Sequence, residues 1–210
     1  MNALSTMLTG QPASTRRSRD PRVTTVLTTG KLILEDREVL CRVRNLSTMG
    51  MMIETGAVLR VGQDLRIGMR CGSEFDASVA WTRDGAAGLK LHAPIDVTAV
   101  LAARPARSRI IRQPAARAPR LSVGCPIELE ARGQSQQAML LNISQSGAGL
   151  RLPFRPYVDE RLLLCVPGLP LKSGAVRWMK QGEVGIRFYE PLPFSTLAAW
   201  VESYAQSRTQ

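Results

Sequence analysis

The feature that most constrains this chain is an internal repeat. Asn45-Leu-Ser47-Thr-Met-Gly50 returns as Asn142-Ile-Ser144-Gln-Ser-Gly147, so Asn, Ser and Gly are each displaced by 97 positions (142 − 45). The same displacement carries Val79 to Val176, Trp81 to Trp178, Gly85 to Gly182, Gly88 to Gly185 and Pro94 to Pro191, without insertion or deletion. A chain of 210 residues accommodates one large domain or two small ones. The repeat selects two.

Each copy is written in short β-forming runs. In the first they fall at residues 23–28, 31–34, 38–45, 50–54 and 64–70, broken by Gly, Asp or charged pairs; in the second at 121–131, 138–143, 147–152 and 161–166. Residues 77–91 and 173–188 each alternate apolar and polar positions around a Gly-containing turn, the pattern of a hairpin. This punctuation predicts a mainly β chain with two tandem small antiparallel β-barrels. A short helix should follow each barrel. The first would be capped by Asp96 and stopped by Pro105; the second would be capped by Ser195, with Leu197, Trp200, Val201 and Tyr204 at helical spacing.

Charge separates the barrels from what lies between them. The net charge is +11, yet residues 23–101 hold nine basic and nine acidic side chains, and residues 121–210 hold nine and seven. The excess sits in residues 1–22, at +3, and in residues 102–120, with six Arg and no acid. Each basic arm lies just upstream of one copy. Composition and these arms divide the chain into a disordered tail at 1–15, a first domain at 16–101, a linker at 102–111 and a second domain at 112–205. Arginine arms bind phosphate of any origin. The balanced first barrel nonetheless offers no continuous basic face, which argues against nucleic acid as the partner.

Other chemistries find little support. Cys41, Cys71, Cys125 and Cys165 form no C-x-x-C pair, and His92 is the sole histidine, so no metal site is expected. No nucleophile–base pair or paired carboxylates stand in a recognisable motif, and the chain reads as a binding protein, not an enzyme. No charged segment followed by an apolar one opens the sequence, and no apolar run reaches the roughly 20 residues of a membrane span. A cytoplasmic setting is expected, in which Asn45-Leu-Ser47 and Asn142-Ile-Ser144 are glycosylation sequons in spelling only.

Asn-x-Ser-x-x-Gly suits a side-chain-closed turn, with Gly supplying a positive φ. The arms add a second element, since Arg19-Asp-Pro-Arg22 precedes the first copy and Arg117-Ala-Pro-Arg120 the second. Together these residues resemble the PilZ domain, whose pattern is R-x-x-x-R at the barrel entrance followed by D/N-x-S-x-x-G. The second element is met in full at Asn45, Ser47 and Gly50 and again at Asn142, Ser144 and Gly147. In the first, the position four before Arg22 is Ser18 and that before Arg120 is Ala116, with Arg17, Arg19 and Arg117 one position away. The resemblance covers residues 16–101 and 112–205. It implies a cyclic di-GMP receptor in bacterial second-messenger signalling, with no other cofactor, acting on an unidentified downstream protein. It implies ligand contacts from Arg17, Arg19, Arg22, Asn45, Ser47, Gly50, Arg117, Arg120, Asn142, Ser144 and Gly147. The arms and motifs contain no aromatic residue, so stacking on a base would fall to arginine. The alternative is a PilZ-like adaptor that has lost nucleotide binding and works through protein contacts.

Overall fold

The computed structural model describes residues 24–70, 72–102 and 118–207. Among them, β1 (Thr24–Ile33), β2 (Glu38–Leu46), β3 (Gly50–Glu54), β4 (Asp64–Gly68), β5 (Glu74–Arg83) and β6 (Ala86–Leu91) close a barrel in the order β1-β2-β3-β6-β5-β4, followed by α1 (Val97–Ala102). The second copy repeats this order with β7 (Leu121–Ala131), β8 (Gln134–Ser144), β9 (Gly147–Arg151), β10 (Arg161–Cys165), β11 (Lys172–Lys180) and β12 (Glu183–Phe188), then α2 (Phe194–Ser207). All neighbouring strands are antiparallel. The expected fold, two tandem barrels each with a trailing helix, is the one observed.

Two-residue periodicity makes the barrels. Along β7, Leu121, Cys125, Ile127, Leu129 and Ala131 point inward while Ser122, Pro126, Glu128 and Glu130 stay exposed. Each barrel encloses its own apolar core, around Leu32, Leu46, Ile53, Ile67 and Leu91 in the first and Leu129, Leu140, Ile143, Leu150 and Leu162 in the second. The hairpins turn at Asp84–Gly85, Arg132–Gly133 and Gln181–Gly182, each with two positive φ angles, the backbone of a tight hairpin turn that matches the strand twist.

Local punctuation differs from expectation in two places. The runs at 23–28 and 31–34 belong to one strand, because Gly30 stays in the ladder opposite Cys41 and the irregularity lies earlier, between Thr25 and Thr28. β7 runs through Gly124 and Pro126 as its single run predicted, with a shift between Ser122 and Cys125. Pro126 is tolerated there because β10 pairs only with Glu128–Glu130, leaving the proline an edge without a partner. Asp96 caps α1 as expected, its Oδ1 accepting from the Ala99 N–H at 3.1 Å. Ser195 does not cap α2, which begins at Phe194; Leu197 N–H bonds Pro193 O at 3.1 Å.

The barrels meet directly. Leu40 of β2 is buried in the second core, and the Arg42 guanidinium stands 4.5 Å from the centre of the Phe194 ring on α2. Glu38 accepts from Lys31 Nζ and from the Ser122 N–H, both at 2.7 Å. Thr29 Oγ1 donates to Gln145 Oε1 at 3.3 Å. The expected domain limits at 16, 101, 111 and 112, and the tail at 1–15, lie in or beside residues outside the described set.

An ion pair between a buried carboxylate and an exposed arginine sets the second barrel apart. Glu160, 2% exposed, takes two bonds from Arg132 (2.8 and 3.0 Å) and one from the Tyr157 N–H (3.0 Å). The Arg132 hydrogen bonds hold its carboxyl below the ordinary carboxylate range against the opposing effect of burial. At the corresponding place in the first barrel, the neutral Gln63 accepts the Arg60 N–H at 3.1 Å. A carboxyl with a lowered folded pKa contributes stability that is complete above its unfolded value, about 4.3, and disappears as pH falls through the folded value. The thermal stability of the second barrel should therefore fall on acidification below about pH 5. In Glu160→Gln, which restores the first barrel's solution, that acid-dependent component should vanish when melting is followed from pH 7 to pH 3.

Candidate functional site

The repeated Trp, Gly and Asn form one cross-strand row on each barrel's outer face. In the second, the ladder places Ser122 beside Asn142, Asn142 beside Gly149, Gly149 beside Gly185, and Gly185 beside Trp178. A Cβ on Gly149 would stand 2.5 Å from Asn142 Nδ2, and one on Gly185 only 1.9 Å from Trp178 Nε1. The two glycines are thus covered by the neighbouring amide and indole. Arg120 reaches the row from outside, its guanidinium donating to Asn142 Oδ1 at 2.6 Å.

The rest of the motif shapes the turn between β8 and β9. The buried Ser144 hydroxyl donates to Gly147 O at 3.1 Å, and a Cβ on Gly147 would stand 2.1 Å from Ile186 O. Ser47 closes the equivalent turn on Gly50 O, also at 3.1 Å. Ser and Gly are therefore the framework that presents residues 145 and 146. Gln145 is fixed further, its Nε2 donating to Leu192 O at 3.2 Å.

A cavity of about 540 Å³ opens against this row. Arg120, Ser144, Gln145, Ser146, Trp178 and Arg187 line it from the second barrel, and Thr29 and Arg70 close it from the first. Arg177 also faces it and pairs with Asp159. Arg70 and Arg187 form no salt bridge among the described residues. Four guanidiniums around one concavity make a site for an anion, and an indole in the same wall makes one for a planar ring. The sequence alone placed Arg120, Asn142 and Ser144 here but missed Arg70, Arg177, Arg187 and Trp178. The repeated Trp–Gly pairing was visible, but its position beside the motif required the strand order.

The first barrel's row differs at one decisive position. It reads Thr25, Asn45, Met52, Gly88, Trp81, with Met52 where the second has Gly149. Asn45 Nδ2 points at Met52 Sδ, 3.5 Å away. Counting back 97 positions also replaces Arg177 by Ala80, Arg187 by Lys90, Ser146 by Met49 and Arg120 by Val23. Arg17, Arg19, Arg22 and Arg117 lie outside the described residues.

Elsewhere, Ser78 Oγ lies 2.6 Å from His92 Nε2 and 2.9 Å from Asp64 Oδ1. Asp64 approaches the same Nε2 at 3.5 Å, so it cannot orient the ring from the opposite nitrogen as a catalytic triad requires. Burial pushes the Cys41 thiol up to about 12 and raises that of Cys125, so both behave as inert core groups. Cys165 is exposed. Among the described residues no three His, Cys, Asp or Glu side chains gather to hold a metal, and no helix is long and apolar enough to cross a membrane.

The profile of the PilZ domain matches residues 16–103 and 115–203. Similar solved structures include the PlzA protein of Borreliella burgdorferi in complex with c-di-GMP, at 10% identity over 85% of this chain and 87% of that one, with a TM-score of 0.37. The K. pneumonia MrkH–c-di-GMP complex shares 12% identity over 87% of each chain at a TM-score of 0.33. YcgR from Escherichia coli in complex with c-di-GMP shares 12% over 87% of this chain and 84% of that one at 0.32. No curated protein sequence matches the chain.

The contact between Trp178 and Gly185 is the simplest part of this site to disturb. Gly185→Ala should displace the indole and cost about 1–3 kcal/mol of stability in denaturant unfolding, as overpacking does. The tryptophan emission should shift as Trp178 leaves its strand.

Proposed function

The chain belongs to the PilZ domain family, and on that premise we propose that it is a cyclic di-GMP receptor that holds the nucleotide on its second barrel, against a wall supplied by the first. The observation that carries this reading is the convergence of Arg70, Arg120, Arg177 and Arg187 on one cavity that also contains Trp178. Cyclic di-GMP carries two phosphates and two guanines. An arginine fork meets either phosphate oxygens or the O6/N7 edge of guanine, and a tryptophan face accepts the base.

Within this reading each residue has a physical task. Asn142 steers Arg120 onto the row, while Ser144 and Gly147 hold the turn that presents Gln145 and Ser146. Arg117 joins Arg120 in the arm that precedes β7, while Arg187 and Arg70 balance the phosphates from opposite barrels. On the first barrel, Arg17, Arg19 and Arg22 with Asn45, Ser47 and Gly50 form a second, weaker candidate, opposed by the Met52 side chain on its row. The chain acts without catalysis, in the cytoplasm, and passes the signal to a downstream protein. Ligand bound across the junction would fix how the barrels face one another, which suits such a relay.

Calorimetric titration with cyclic di-GMP, against GTP and a short DNA duplex as controls, tests this assignment. A charge-assisted contact contributes on the order of 1.5–3 kcal/mol, so Arg120→Ala or Arg187→Ala should weaken binding by roughly tenfold to over a hundredfold. Arg70→Ala should weaken it from the other barrel, and Asn45→Ala should leave it unchanged. Unchanged affinity in both Arg120→Ala and Arg187→Ala contradicts the assignment.

A further inference from the structure

The two barrels use the same face differently. On the second, the face around the motif turn and the tryptophan is covered, because Thr29 and Arg70 of the first barrel close its cavity and Thr29 bonds Gln145. On the first, no described residue of the second barrel lines the concavity beside Trp81. Met49 and Trp81, the counterparts of Ser146 and Trp178, are 41% and 43% exposed. Met52 lies beside Trp81 in a concavity that also takes in Thr82, Arg83, Asp84 and Ala86. Where one copy has a junction lined by arginines, the other exposes Met49 and Trp81 at the corresponding positions.

The chain also carries the surface such a face would meet. The elements that cover the second barrel's face are β1, at Thr29, and the turn that follows β4, at Arg70. Their counterparts 97 positions on are Pro126 and Pro167, both exposed. The backbone edge is the same in both barrels, since Lys31 pairs with Gly68 and Glu128 with Cys165 at equivalent positions of the ladder. Where the polar face meets Thr and Arg, the apolar face has two proline rings of matching placement.

We propose that the Met49–Trp81 face of the first barrel docks on the Pro126–Pro167 edge of a second copy of this chain, repeating between molecules the junction found within one. Shape is supplied by the repeat, and the desolvation of Trp, Met and Pro supplies the attraction. The contact rests on Met49 and Trp81 against Pro126 and Pro167 and is smaller than its internal counterpart, to which α2 adds its packing on β2 through Phe194 and Arg42. Association is therefore reversible and concentration-dependent. The two surfaces differ, so the contact is head-to-tail and either closes into a ring or extends.

Sedimentation of the full-length protein over a range of concentrations tests this. The mass should rise from 23.0 kDa for one chain to at least twice that value. Met49→Glu, on an exposed turn, and Pro126→Glu, on an exposed strand position, should each stay at the mass of one chain. Each variant keeps one intact surface, so an equimolar mixture should form a species of two chains and grow no further. A wild-type protein that remains one chain up to about millimolar concentration, where even weak specific contacts form, overturns the proposal. So does association that survives either substitution, or a mixture in which the two variants fail to join.

Discussion

Everything distinctive about the site depends on glycine backbone lying under a neighbour's side chain. Trp178 over Gly185 and Asn142 over Gly149 are close approaches that any Cβ would prevent, and they lay an indole and an amide side by side across the strands of the second barrel. On that row the Arg120 guanidinium is held by the Asn142 oxygen at 2.6 Å, and the remaining arginines face it across the cavity. The barrel is the rigid support that this arrangement needs, since the paired side chains come from β8 and β11 and the glycines from β9 and β12.

One methionine changes what the same row does. In the first barrel Trp81 still covers Gly88, so the architectural half of the device is kept, but Met52 fills the place of Gly149 and engages Asn45 through its sulfur. Ala80 and Met49 replace a charged and a hydroxyl side chain beside it. The repeat thus preserves the fold while the side chains on the row diverge, with arginines around the cavity of one barrel and exposed Met49 and Trp81 on the other.

The fold was legible because a constant 97-residue displacement and two-residue alternation both survive in the sequence, and these are the patterns that barrel strands require. Gly30 misled as a break between two runs, because a strand tolerates glycine within its ladder, whereas the run at 121–131 was read whole through Gly124 and Pro126. At the site, Arg120, Asn142 and Ser144 could be found by motif. Arg177, Trp178 and Arg187 carry no local signal, since their proximity comes from β9 inserting between β8 and β12 in the sheet. Arg70 was beyond reach of any motif, because it belongs to the other barrel. Ser144 and Gly147 are a further lesson: the motif spells a turn first, and its chemistry lies in the residues which that turn presents.

The central claim is that cyclic di-GMP lies against the second barrel's row. Tryptophan fluorescence during titration tests it most directly, because Trp178 and Trp81 occupy equivalent places on the two barrels. A nucleotide stacked at the cavity wall should quench emission in the wild-type protein and in Trp81→Phe, with the quenching lost or strongly reduced in Trp178→Phe. Quenching that persists in Trp178→Phe and disappears in Trp81→Phe would place the ligand on the first barrel and contradict the account.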